Sequence, residues 1–376
     1  MLINRLVLKN ILSFRDTTIE LSSLNVLIGP NAVGKSNLIE AIGLLQSAQS
    51  SLANAILRGG GVRQWIWLGD RDSPVAEIIC DLELSRGPQP GPVRYSLQFS
   101  DDHGLVIVGE RVEGIDSDPV YLNRISQRVE MPPRPPMFTS PADSVLSQFR
   151  SLGDPTPVTE VGNHFSRIRI YREFRTGPQS GARYGISTSV PKDALTDGSD
   201  NLAMVLQQLD FLASPHEKIR VYLKRFCERF KDVKVDVSEG FARAVLREEG
   251  LNDLLSVRMS DGTLKFLSLL AALFYPTPPP LMCIEEPEIG LHPDALQLVA
   301  EVLLEASESM QLIVTTHSEA LVDALSHRSD AVLVCERDFD NGTIMKRLKK
   351  DDLKEWLQDY SLGELWRKGE IGGGRW

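Results

Sequence analysis

Residues 29–36 read Gly-Pro-Asn-Ala-Val-Gly-Lys-Ser, a match to G-x-x-x-x-G-K-[ST]. They follow the apolar run "LNVLI" and open a stretch in which Leu38, Ile42 and Leu45 share one helical face. No other feature limits the fold as much. A strand that turns through glycines into a helix start aims backbone N–H groups, and the positive end of the helix dipole, at one point, which suits phosphate. In that context Lys35 reaches the β- and γ-phosphates and Ser36 ligates Mg2+. The candidate nucleotide-binding residues are Gly29, Asn31, Gly34, Lys35, Ser36 and Asn37.

Such a loop needs an acidic partner. "LMCIEEPE" supplies an apolar strand ending on Glu285 and Glu286. The first carboxylate at such a strand end holds Mg2+, and the next polarises the attacking water as general base. Lys35 and Glu285 lie 250 residues apart. A small nucleotide-hydrolysing domain keeps these motifs closer, so the spacing predicts a catalytic fold split by an insertion. "QLIVTTHS" leaves His317 at a strand end, where it can sense a γ-phosphate. "MSDGTLKFL" puts Ser260, Asp261 and Gly262 at a helix start, a second anion site.

Around these motifs the pattern predicts strands at residues 3–8 and 17–21, then the strand before the phosphate loop. Alternation in "AEIICDLEL", "VRYSLQF" and "GLVIVGERV" predicts an antiparallel meander over 76–115, with proline and glycine at joins such as "RGPQPGP". From 116 to 160, "MPPRPPMFTSPADS" and "GDPTPV" are too rich in proline for element interiors and predict a lid or surface loop. Two helices follow, "NLAMVLQQLDFLA" and "PHEKIRVYLKRFCERF". The last third alternates apolar strands with helices, including one at 294–307, which implies parallel strands and crossover helices. The expected organisation is an N-terminal lobe at 1–115, a lid and helical insertion at 116–259, and a C-terminal lobe at 260–376.

The order of these motifs resembles the ABC-type ATPase heads of the SMC/RecF-like class. More narrowly, it resembles the compact AAA ATPases related to the ATPase domain of the OLD family. The stretches that carry this are "LKNILSFRDTTIELSSLNVLIGPNAVGKSNLIEAI", "MSDGTLKFLSLLAALF", "MCIEEPEIGLHPDALQLVAEVL" and "QLIVTTHSEALVDAL". The closing "LGELWRKGEIGGGRW" is similar to the compact group as well. The resemblance implies an α/β head with a mostly parallel core sheet, an antiparallel N-terminal β meander and a helical or lid insertion. It implies ATP and Mg2+ as cofactors and a homodimer, or higher homo-oligomer, that sandwiches ATP. In that arrangement Ser260 and Gly262 meet the γ-phosphate of the partner subunit's ATP. Glu286 is the catalytic base, His317 the switch histidine, and residues 287–292 cross the dimer seam. Ser36 and Glu285 are the metal ligands. Two departures stand out: Asp261 replaces the middle glycine of the usual Ser-Gly-Gly, and Glu285 replaces the commoner Asp. For the glutamine of the Q-loop, Gln148 and Gln179 are the candidates.

The formal net charge of -10 argues against a globally basic nucleic-acid binder and leaves room for a local patch. "FSRIRIYREFRTGPQSGARYG" carries Arg167, Arg169, Arg172, Arg175 and Arg183 among Tyr171, Phe174 and Tyr184. That mixture suits phosphate and base contacts, and a solvated strand face explains it equally well. The helix around 217–230 shows Lys218, Arg220, Lys224, Arg225 and Arg229 opposite its apolar side. A solvated face is the stronger reading there, a docking helix the sharper one. Asp338 and Asp340 are similar to the Asp-x-Asp of a TOPRIM nuclease, but Asn341-Gly342 reads better as a hairpin turn. A nuclease, if one acts, is expected on another polypeptide.

Cys80, Cys227, Cys283 and Cys335 form no Cys-x-x-Cys pair, and no apolar run is long enough for a bilayer. A reduced, cytoplasmic setting without membrane contact is expected. The leading expectation is an ATP-hydrolysing, dimerising motor or switch in DNA repair or anti-phage defence, with a separate nuclease or toxin effector and possible DNA contact through Arg167, Arg169, Arg172 and Arg175. The alternatives are the nucleotide-binding subunit of an ABC transporter and an ATP-dependent scaffold that cages an effector.

Overall fold

The computed structural model describes residues 3–67, 69, 75–84, 91–115, 119–148, 156–250 and 253–374. The chain forms two compact units. One holds the residues through Ile168, Ser329–Glu355 and those from Leu365 on; the other holds Arg169–Arg328 and Trp356–Glu364.

In the first unit the buried strand Leu24–Ile28 pairs in parallel with Val332–Asp338. Val332–Asp338 turns back antiparallel into Gly342–Arg347, which reaches Phe14–Glu20. From there the sheet runs antiparallel through Ile3–Ile11, Val75–Leu84, Gly91–Asp101, Leu105–Gly114 and Val120–Ile125. The meander follows its sequence pattern: Ala76, Ile78, Cys80, Leu82 and Leu84 point inward, every second residue of their strand. The hairpin expected at Asn341-Gly342 is present, with its turn shifted to Phe339-Asp340-Asn341: Gly342, at φ +73°, already pairs with Asp338 as the first residue of the returning strand. The Asp338 carboxylate accepts the N–H groups of Asp340 and Asn341, so it caps a turn.

The proline-rich stretch departs from the expected loop. Arg128–Glu130 and Met137–Phe138 extend the sheet beyond Val120–Ile125. The reason is a buried arginine. Arg124 donates to the carbonyls of Ser126, Asp143, Ser140 and Pro141, satisfying a loop that proline leaves short of ladder partners. Its charge is met by Glu110, 3.7 Å away, and both side chains are fully buried. Glu110 also accepts from Tyr95 Oη and the Val145 N–H, and burial still pushes its carboxyl above the usual range. Pro157 is likewise not in an element interior. It opens the helix Pro157–Ser166, where its missing N–H has no intrahelical role, and Thr156 caps that helix. Residues 85–90 and 149–155, which include most of "RGPQPGP" and the start of "GDPTPV", lie outside the described residues.

In the second unit Arg169–Tyr171, Leu281–Glu285 and Gln311–Thr315 are parallel neighbours. Leu296–Ala306 is the crossover helix, entered through a 3-10 turn at Pro293. The helix Asp261–Leu273 is buried on nearly every side from Thr263 on. A second sheet holds Ile186–Ser187, Phe230–Ser238, Phe241–Glu248 and Leu254–Leu255.

The helix Ala213–Phe226 ends before Phe230, which opens a strand instead. It stacks Phe226 on Phe266 and Tyr222 on Phe274. Its cations are partly spoken for: Lys218 and Arg225 pair with Glu305 and Glu301, each at 2.6 Å. Among the described residues no helix is long and apolar enough to cross a membrane.

Candidate nucleotide site

The phosphate loop is built as its sequence demands. Gly29 has φ +146°, and a β-carbon there would lie 2.4 Å from the Cys335 carbonyl oxygen. Gly34 has φ +107°, and a β-carbon would meet Thr343 Oγ1 at 2.2 Å. The helix Lys35–Ala48 starts directly after it. Lys35 is buried, and its ammonium donates to the carbonyls of Gly29 and Pro30, both at 2.8 Å. The loop therefore closes on its own lysine. Thr343 braces the loop from the hairpin strand: its hydroxyl is hydrogen-bonded to Val33 O and Ser13 Oγ, each at 2.6 Å. Sequence reading missed Thr343, because nothing local marks a residue 310 positions from its partner.

The second unit brings Glu285, Glu286 and His317 together. Glu285 ends its strand beside Arg172, whose Nη1 donates to Oε1 at 3.1 Å. Glu286 adopts φ +47°, a left-handed conformation that costs a non-glycine residue about 1–3 kcal/mol. Its N–H donates to Thr315 O at 3.0 Å, which holds the turn against that strain. Its carboxylate stands 3.8 Å from His317 Nε2.

Glu288 was not singled out from sequence. Its Oε1 accepts the Thr316 hydroxyl at 2.6 Å and the His317 N–H at 2.8 Å, so it fixes the loop that carries the histidine. Its Oε2 is buried without a partner. Burial, with a further push from Glu286, raises its carboxyl above the ordinary range.

Ser260 caps the helix Asp261–Leu273, with Oγ accepting from Thr263 N at 3.1 Å. Gly262 abuts the turn after the acidic strand: a β-carbon there would lie 3.0 Å from Gly290 O. Lys265 ties the same two segments by donating to Ile289 O at 3.1 Å. Gly262 thus has a packing reason to be glycine, apart from any ligand.

The arginine span is not a bare cationic face. Arg172 pairs with Glu285, Arg175 with Asp200 at 3.0 Å and Arg183 with Asp261 at 2.5 Å. The expected strand is also short, Arg169–Tyr171, and Arg167 caps the preceding helix. Of the Q-loop candidates, Gln148 hydrogen-bonds Thr139 and Gln179 sits at φ +85°; neither observation marks a role.

Solved structures share this fold. The chain is similar to an Smc head bound to the C-terminal winged-helix domain of ScpA, with TM-score 0.58, 13% identity, and 94% of this chain and 99% of that one covered. It is similar to an Smc head with an extended coiled coil, bound to the C-terminal domain of ScpA derived from Pyrococcus furiosus, with TM-score 0.57, 13% identity, and 95% and 98% covered. Among curated proteins, the Old nuclease of Escherichia phage P2 is 40% identical over 82 residues, 22% of this chain and 14% of that protein. The RecF DNA replication and repair protein of Acetivibrio thermocellus is 47% identical over 96 residues, 25% of this chain and 24% of that protein. The matches thus span less than a quarter of either curated relative.

The fold and its motifs define an SMC/RecF-like, ABC-type ATPase head, related to the OLD family. The chain belongs to the family described as "AAA domain, putative AbiEii toxin, Type IV TA system", which matches residues 24–323.

Proposed function

We propose that this protein binds ATP with Mg2+ and hydrolyses it as a self-associating switch in a DNA-linked process, repair or anti-phage defence, with a separate nuclease or toxin as effector. The observation that carries the chemistry is Glu286: a carboxylate held in a strained backbone at a strand end, 3.8 Å from His317. Strain of this kind persists where surrounding bonds over-determine it, and it concentrates at functional sites. The link to DNA leans on the names of the Old nuclease and RecF relatives, and a protein partner on the ScpA-bound Smc heads.

Lys35 exchanges the Gly29 and Pro30 carbonyls for phosphate oxygens, and the Gly34 turn directs backbone N–H groups at the same phosphates. Ser36 and Glu285 each offer an oxygen ligand of the kind Mg2+ takes, and the ion would offset phosphate charge. Glu286 takes the proton of the attacking water. His317, held through its backbone by Glu288, orients that carboxylate. Asn31 and Asn37 flank the loop as further phosphate contacts. Ser260 and Gly262 serve the ATP of a second copy.

The test is complementation. Ser260→Arg and Lys35→Ala proteins are each inactive in this scheme, and their mixture regains part of the activity, because one composite site per dimer keeps both intact halves. ATP turnover in mixtures with verified subunit exchange decides it. Mixtures that stay inactive count against the sandwich.

A further inference from the structure

We propose that Arg183 is a positioning residue for the signature helix: it neutralises Asp261, so that the helix start at Ser260, Asp261 and Gly262 can face a nucleotide phosphate. The inference rests on the nucleotide reading above and deepens it.

The problem is electrostatic. A carboxylate in the first turn of a helix complements the helix dipole. The same charge repels an incoming phosphate, at the position where the usual Ser-Gly-Gly has none. The Asp261 side chain is 64% exposed, so nothing hides it sterically. Arg183, at 13% exposure, comes from far along the chain and spends its whole fork here. Nη2 donates to Asp261 Oδ1 at 2.5 Å, Nη1 to Met259 O at 2.8 Å and Val257 O at 3.3 Å, and Nε to Thr176 O at 2.6 Å. The Ser256 hydroxyl in turn donates to Arg183 O at 2.7 Å. Apart from Thr176, the acceptors are the turn that feeds the helix and the helix's first residue.

Three of these four acceptors are neutral carbonyls, and Asp261 is the anion among them. The Arg183 guanidinium, with a smaller contribution from Thr176, holds the Asp261 carboxyl below its usual range. Lys265 is a further cation nearby, engaged by Ile289 O. With both Arg183 and Asp261 present, the helix start carries no net charge from the pair. Without Arg183 it carries an uncompensated anion; without both it is neutral again. A purely structural arginine does not produce that ordering.

The experiment compares the wild type with Arg183→Gln, Asp261→Gly and the double variant. It measures ATP binding, ATP-dependent self-association and hydrolysis at low and raised salt. ATP binding, which reports the phosphate loop, is expected to survive in all four. Hydrolysis by Arg183→Gln is expected to fall about 10- to 100-fold at low salt, with a smaller deficit at raised salt. Arg183→Gln/Asp261→Gly is expected to recover to within about threefold of Asp261→Gly alone.

A double variant as slow as Arg183→Gln overturns the neutralising role and leaves Arg183 a cap for carbonyls. Wild-type turnover by Arg183→Gln overturns it as well. If the glutamine variant does not fold, Arg183→Lys, which keeps the charge and loses the fork, replaces it. Near-wild-type hydrolysis then supports the charge argument, and a loss as deep as that of Ser260→Arg overturns it. A wild type that hydrolyses no ATP overturns the nucleotide reading as well. A failure confined to the double variant overturns this inference alone.

Discussion

The phosphate loop after Leu24–Ile28 and the acidic turn after Leu281–Glu285 are both sharp turns leaving a buried parallel strand, and they are held in different ways. In the first, two of the left-handed positions fall on Gly29 and Gly34, which adopt them without a β-carbon penalty. The loop then ties itself with Lys35, five and six residues from the carbonyls it meets. In the second, the left-handed position falls on Glu286, the residue proposed as the general base. The strain is offset by bonds from elsewhere: Thr315 holds the Glu286 N–H, and Glu288 ties the same turn to Thr316 and His317. A turn that must carry a working side chain at a glycine-like position depends on its neighbours. One whose left-handed positions fall mostly on glycine, with Ala32 the exception, needs fewer such bonds, those of Thr343 among them.

The largest effects follow from removing the working groups. Glu286→Gln is expected to bind ATP and lose about 10²–10⁴ in turnover, because the amide cannot accept the proton from water. Lys35→Ala is expected to lose tight ATP binding itself, by about 10²-fold, as a phosphate loses its charge-assisted partner. Nucleotide titration alongside steady-state hydrolysis separates the two. Normal turnover by Glu286→Gln would remove Glu286 as the base.

Stability should move in opposite directions at the two turns. Glu286→Gly relieves the left-handed strain and is expected to raise stability by about 1 kcal/mol while ending hydrolysis. Gly34→Ala pushes a methyl against Thr343 and Ser13 and is expected to cost about 1–3 kcal/mol. Denaturant melts measure both, and equal signs would break the comparison.

Glu288 supplies a pH test of the acidic turn. Its carboxyl is raised by burial, so the stability it contributes is present below the ordinary carboxylate range and is lost as pH rises through the raised value. Glu288→Gln mimics the protonated form and keeps the acceptor for Thr316 and His317. The variant is expected to melt like the wild type in acid and above it near neutrality. A constant gap across that range would mean that Glu288 does not titrate as its burial implies.

The smallest effect concerns DNA. Each phosphate neutralised on duplex DNA adds about -0.9 to the slope of log affinity against log salt. Arg172 and Arg175 already pair with Glu285 and Asp200, so replacing both with Gln is expected to change that slope by less than about two contacts' worth. Titrations of duplex and single-stranded DNA at two salt concentrations, with and without ATP, measure it. No binding in either form directs the search to a protein effector.

Much of this was legible in the chain. The phosphate loop announces itself through glycine spacing between an apolar strand and a helix, and the strand ending at Glu285 and the Ser260 cap are equally local signals. The meander could be read from its alternation. The sheet beyond residue 119 could not, because proline spoke against it and the compensating bonds come from Arg124. The arginine-rich span was ambiguous for the same reason: composition cannot say whether a guanidinium faces solvent or an acid on another element.

What the sequence determined by itself is the set of parts whose physics is short-range: turns that need glycine, strands that alternate, helices that need a cap, and a carboxylate at a strand end. What only the tertiary structure decided is which charges are compensated and which strains are borne. Arg183 is 78 residues from Asp261, and Arg172 is 113 from Glu285. An ion pair has no periodicity in sequence. Its strength is set by distance and burial, and those exist only once the chain has folded.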